Sequence, residues 1–167
     1  MSANSVHAFA GEAFLALAQR YMSWLQIRAA TSVGSLSDLH ACLSDLQGAA
    51  IRLPQIGGDD DSDDQDVPRD AQTGWTLAKQ AAATLPLCEY ALVFDPLDEA
   101  DRNAIVNAIE DDLGDIYNDL AEGASLMANA RIEDAIWQWR FSYLSHWGRH
   151  AVHAQTALWQ ALANALE

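Results

Sequence analysis

Apolar residues recur every three or four positions along almost the whole chain, and no run alternates apolar with polar residues. That spacing belongs to helices which each bury one stripe. A chain of 167 residues, half of them hydrophobic, can bury such stripes in one core. The expected fold is therefore all-α: a single domain over 1–167, built as an up-and-down bundle of four long helices plus one or two short ones.

The first helix is expected from about Ala8 to Arg28, with Phe14, Leu17, Tyr21 and Leu25 inward. The second starts at Ser35 or Ser37, carries Leu36, Leu39, Leu43, Leu46, Ala50 and Leu53, and ends before Pro54. Residues 54–70 break the pattern. Their two glycines, two prolines and seven aspartates leave little to bury and predict a mobile acidic loop. Trp75, Leu77, Ala81 and Leu85 mark a short helix. The following CEYALVF, from Cys88 to Phe94, reads as another, because a lone strand would lack a partner.

Asp98 is the expected cap of an acidic helix with Ile105, Ile109, Leu113, Ile116 and Leu120 inward, stopping at Gly123. The last helix is expected from Arg131 to Leu166, and to be central in the bundle. Its stripe is Ile136, Trp139, Tyr143, Trp147, Ala151 or His150, Ala154, Leu158 and Leu162. Gly148 inside it costs roughly 1 kcal/mol relative to alanine and permits a bend or a close crossing.

The run VFDP (Val93 to Pro96), then DDLGDIYNDL (Asp111 to Leu120), then AIWQWRFSYLSHWGRHAVHA (Ala135 to Ala154) resembles an uncharacterised bacterial family catalogued as domain of unknown function 5063. FLALAQRYMSWL (Phe14 to Leu25) and LSDLQGAAIRLP (Leu43 to Pro54) are similar to the start of that family. The resemblance covers nearly the whole chain, and its most specific parts are DDLGDIY and HWGRHA. It implies an all-helical single domain. It implies no activity and no catalytic residues.

Two clusters carry the chemical interest. His146, His150 and His153 share a face of the last helix, and Asp112, Asp115 and Asp119 share a face of the acidic helix, outside its apolar stripe. Imidazoles three and four apart are a helix's usual way of offering paired metal ligands, and grouped carboxylates hold divalent cations or exchange protons. The same residues also suit a plainer role. The histidines then rim the core, and the aspartates form a solvated face or pair with Arg131, Arg140 or Arg149. EDDLGD is similar to the acidic helix of all-helical nucleotide pyrophosphatases, but the second acidic pair such sites need is missing. Asp59, Asp61 and Asp63 alternate like calcium ligands, yet Asp64 stands where that loop needs glycine and Asp70 where it needs glutamate.

Trp139 and Trp147 fall on the stripe and belong to the core. Trp137 is off it, packed under another helix or exposed to a partner. Cys42 and Cys88 lie among apolar residues and are expected as buried free thiols. A net charge of -15 opposes binding to nucleic acid and to anionic membrane surfaces. No basic and apolar leader and no run of roughly 18 apolar residues is present, so a cytoplasmic protein is expected. No nucleophile elbow, phosphate loop or dinucleotide fingerprint occurs. The first expectation is a non-catalytic interaction or accessory protein with no cofactor, taking a protein partner or a small ligand. The alternative is a metal-dependent, hydrolase-like enzyme using the Asp and His clusters with a divalent metal.

Overall fold

The computed structural model describes residues 3–32, 34–57, 71–100 and 102–165. The elements run α1 (Ala3–Thr31), α2 (Leu36–Ala50), α3 (Ala71–Ala82), β1 (Glu89–Val93), β2 (Ala104–Ala108), α4 (Ile109–Ala128), α5 (Ile132–Ser142), a π turn (Tyr143–Trp147) and α6 (Gly148–Asn164). The architecture is an all-α bundle carrying one small β-hairpin. The acidic run from 58 to 70, with its calcium-like aspartates, lies outside the described residues.

α1, α2, α4 and the last rod bury most of the stripe their spacing predicts, whereas on α3 the expected Trp75 is exposed and Gly74, Ala78, Ala81 and Ala82 face inward. Phe14, Ala18, Tyr21 and Leu25 face inward from α1, and Leu39, Cys42, Leu43, Leu46 and Ala50 from α2. Ser35 caps α2, its hydroxyl accepting the Asp38 N–H at 3.0 Å. The acidic helix α4 packs against α1, α3 and both halves of the last rod, α5 and α6. Small residues set the spacing around it. Gly114 lies against the Trp75 ring of α3, and Gly123 lies under the Trp139 indole of α5. Phe14 completes the aromatic core at 4.8 Å from Trp139 and 6.5 Å from Trp147, centroid to centroid.

Three further expectations need correcting. CEYALVF is not helical: Glu89–Val93 pairs antiparallel with Ala104–Ala108, Tyr90 opposite Asn107 and Leu92 opposite Ile105. The partner strand occupies the stretch expected to begin the acidic helix. That helix begins at Ile109, so Ile105 sits in a strand and is largely exposed, and Asp98 caps no helix. Asp98 instead turns the hairpin connection. Asp95 Oδ1 accepts from Leu97 N–H at 2.9 Å, and Asp98 Oδ1 from Ala100 N–H at 2.8 Å. Cys42 is buried, but Cys88, just ahead of β1, is exposed.

The last helix is one rod with a single irregular turn. Gly148 N–H donates to the Tyr143 carbonyl five residues back, the widened spacing of a π-helix. Its stripe advances by fours, from Trp139 to Tyr143, Trp147 and Ala151. An α-helix drifts about 40° per such step. One π turn absorbs that drift, and Trp139, Trp147, Ala151, Ala154 and Leu158 all end up buried.

Candidate metal centre

The middle of α4 faces the junction of the π turn and α6, and the hairpin flanks both. Asp112, Asp115 and Asp119 leave α4 at spacings of three and four, meeting His146 and His150, four apart on the opposing rod. His150 Nδ1 lies 2.9 Å from Asp112 Oδ1. His146 Nδ1 lies 2.7 Å from Asp119 Oδ2. An ionised carboxylate only accepts, so each imidazole donates from Nδ1. The Nε2 atoms remain for another partner. His150 Nε2 is 3.4 Å from Asp115 Oδ2. The two rings stand edge to face with centroids 5.0 Å apart.

Asp115, His146 and His150 each bring one ligand atom into a group spanning no more than 4.8 Å. Two donors bonded tetrahedrally to one zinc ion lie about 3.4 Å apart, as His150 and Asp115 already do. Zn–N and Zn–O bonds of about 2.0–2.2 Å set that spacing, so any wider pair in the group closes on the ion by side-chain rotation. His153 lies one turn further along α6 and does not join this group.

Asp112 is not on a solvated face. It is wholly buried. Its carboxylate accepts from His150, from the Tyr90 hydroxyl, and from Asn107 Nδ2 at 3.0 Å to both oxygens. Asn107 Nδ2 also reaches the Tyr90 oxygen at 3.0 Å. Desolvating a carboxylate is expensive, and these donors are what offset it. The arginines expected as counter-charges are engaged elsewhere. Arg131 pairs with Asp134, Arg140 donates to the carbonyls of Ile51 and Leu53, and Arg149 stacks over the Phe94 ring.

Burial raises the Asp115 carboxyl above its ordinary range, and Asp119 and Asp111 push the same way against His150 and His146. Burial lowers the His150 imidazole, but the Asp112 hydrogen bond and the charges of Asp115 and Asp112 outweigh it, so the net shift is upward. Burial lowers His153. Burial and the hydrogen bond to Asp112 raise the Tyr90 hydroxyl strongly.

Sequence spacing does not point to Tyr90 or Asn107. Their signal is their position opposite one another in a hairpin, which a helical reading of both strands hides. Of the tryptophans, Trp139 and Trp147 are core, with Nε1 donating to the carbonyls of Leu120 at 3.1 Å and Trp139 at 3.3 Å. Trp137 is 36% exposed and stacks on Phe141, rings 4.9 Å apart and nearly parallel. No helix among the described residues is long and apolar enough to cross a membrane.

No curated protein and no solved structure matches the chain. One family model does, across residues 7–164, and the chain accordingly belongs to the family described as Domain of unknown function (DUF5063).

Proposed function

We propose that this domain binds one divalent transition metal through Asp115, His146 and His150, with Asp112 and Asp119 as outer carboxylates that orient the two imidazoles. The observation that carries this reading is the paired Asp–His bonding. Both histidines are held by Nδ1, Nε2 of His150 lies 3.4 Å from Asp115, and His146 brings a ring nitrogen into the same group. A carboxylate behind each ligating imidazole fixes its tautomer and raises its basicity. Imidazole ligands suit zinc and iron better than magnesium or calcium. Three protein ligands leave positions for water or substrate, the pattern of catalytic rather than structural zinc. A metal-bound water there would be activated for hydrolysis. Side-chain exposure of 44% at His146 keeps the centre within reach of solvent.

The test is metal content by elemental mass spectrometry on tag-free protein, for wild type, His150→Ala and Asp115→Asn. The reading expects stoichiometric metal in the wild type and its loss in both variants. Wild-type protein that stays metal-free after incubation with Zn²⁺, Mn²⁺ and Fe²⁺ sinks it.

A second reading is a non-catalytic interaction protein of the cytoplasm. It is favoured by the exposed Trp137–Phe141 stack, one turn from the exposed Leu144 on the same rod. The charge of -15 argues against nucleic-acid or anionic-lipid partners and leaves a protein or small ligand. Gentle pull-downs with wild type and Trp137→Ala test it. A stoichiometric partner lost in the variant supports it, and no partner with either protein counts against it.

A further inference from the structure

The hairpin adds little to the core, yet it contributes two side chains to the most buried part of the polar cluster. Tyr90 and Asn107 are register partners on adjacent strands, so both point to the same face of the two-stranded sheet. That face meets the first turn of α4, where both bond the Asp112 carboxylate. Asp112 in turn accepts from His150 Nδ1. The chain of contacts therefore runs from the hairpin through a wholly buried carboxylate to an imidazole whose other nitrogen faces Asp115.

We infer that Tyr90 and Asn107 are positioning residues for the metal centre, which fix the Asp112 carboxylate so that it holds His150 in the Nδ1–H tautomer with Nε2 free to coordinate. This rests on the metal reading above. The physical argument is one of competing partners. A carboxylate beside a metal site can ligate the metal itself, or rotate and present either oxygen to the imidazole. With Tyr90 and Asn107 bonded to the two Asp112 oxygens, turning the carboxylate toward a metal takes the acceptor away from these part-buried donors. Asp112 is thereby kept in the outer shell, and Asp115, four-fifths buried and without such a clamp, is left as the carboxylate ligand. The hairpin becomes part of the centre although it holds no ligand.

Two readouts test this. The first is the tautomer of His150 in metal-free protein, from long-range ¹H–¹⁵N NMR. The second is Zn²⁺ affinity by competition with a chromophoric chelator. Wild type, Tyr90→Phe, Asn107→Leu and the control Val106→Ala, at an exposed site on the same hairpin, are compared. Expected are an Nδ1–H signature in wild type and control, a mixed or reversed tautomer in the other two, and about 10- to 100-fold weaker Zn²⁺ binding with an unchanged far-UV spectrum. Wild-type tautomer and affinity in both Tyr90→Phe and Asn107→Leu overturn the inference. Wild type that binds no Zn²⁺ removes the metal reading instead, and the tautomer of the metal-free variants still decides the positioning role. If Asn107→Leu fails to fold, Tyr90→Phe, which deletes a single oxygen, carries the test alone.

Discussion

His150 Nδ1 lies 2.9 Å from an oxygen of Asp112, a carboxylate with no exposure to water. Removing one partner of a buried pair leaves the others desolvated and unbonded. Asp112→Ala strands donors from Tyr90, Asn107 and His150 at once. The expected loss is about 3–5 kcal/mol in urea denaturation of metal-free protein. Asp112→Asn keeps an acceptor and should lose clearly less. The exposed neighbour substitution Asp111→Ala should stay within about 0.5 kcal/mol of wild type. Equal losses at 111 and 112 are incompatible with the buried network.

Metal binding at this centre must compete with a proton on His150, because the ligating imidazole is neutral. The upward shift at His150 gives the sign. A raised imidazole stabilises the folded, metal-free protein fully below its unfolded value of about 6.5. That contribution fades as pH climbs through the folded value. Zn²⁺ should act oppositely. The rise in Tm on adding Zn²⁺ is expected to be small at pH 6 and to grow through pH 7 and 8, and to be absent at every pH in His150→Ala. Thermal melts with and without Zn²⁺ measure this, and a Zn²⁺ effect that shrinks with rising pH contradicts the assignment of His150 as a ligand.

The two thiols should behave as different chemical species. Burial pushes the Cys42 thiol up to about 11, Asp45 adding to the shift and Arg20 opposing it, whereas Cys88 is exposed. The thiolate is the reactive form, so native protein at pH 8 should take a disulfide reagent at Cys88 and exclude it from Cys42 until unfolded. Burial also raises the Tyr21 hydroxyl, with Cys42, Asp112 and Asp115 adding. Both groups favour the neutral form in the folded state, so stability present below about pH 9 should fall as pH rises toward 11. Peptide mapping after labelling, and melts between pH 8 and 11, check both statements. Fast native labelling of Cys42 would be fatal to the first.

The helices are legible in the sequence because each repeats its apolar spacing over several turns. The stripes of α1, α2 and the last helix match the buried residues closely. The hairpin is not, since five residues such as Ala104–Ala108 fit a helix stripe as well as a strand, and only pairing with Glu89–Val93 separates the two. The aspartate and histidine faces are also legible as directions around their helices. What a wheel cannot give is depth. Asp112 lies on the flank of its stripe, and its burial comes from α6 on one side and Tyr90 and Asn107 on the other. The counter-charges are misjudged for a related reason. Proximity in sequence favours Arg131, Arg140 and Arg149, but the packing turns them toward Asp134, the end of α2 and Phe94.

Gly148 connects the sequence signal most directly to the centre. Its N–H closes the π turn on the Tyr143 carbonyl, and a Cβ there would collide with that oxygen and lie 2.9 Å from two atoms of the Tyr143 ring. A side chain at 148 therefore opposes the π turn and favours a regular α-helical path, with no extra residue in that turn. The rod beyond it would then rotate by about 100° relative to α5. The core and the centre cannot both be satisfied in that state. If Trp139 and the α5 stripe hold their places, His150 turns away from Asp112 and Asp115. If His150 holds, Trp139 leaves the core. Gly148→Ala is expected to lower stability by about 1–3 kcal/mol, as overpacking does. It should also abolish stoichiometric metal in the fraction that remains folded. Gly48→Ala on α2, where a Cβ would meet only the end of the Arg52 side chain at 3.5 Å, is the matched control and should change neither. Urea melts and elemental analysis of the two variants, side by side, decide it: metal retained at wild-type level in folded Gly148→Ala protein means that the π turn does not set the aim of the histidines.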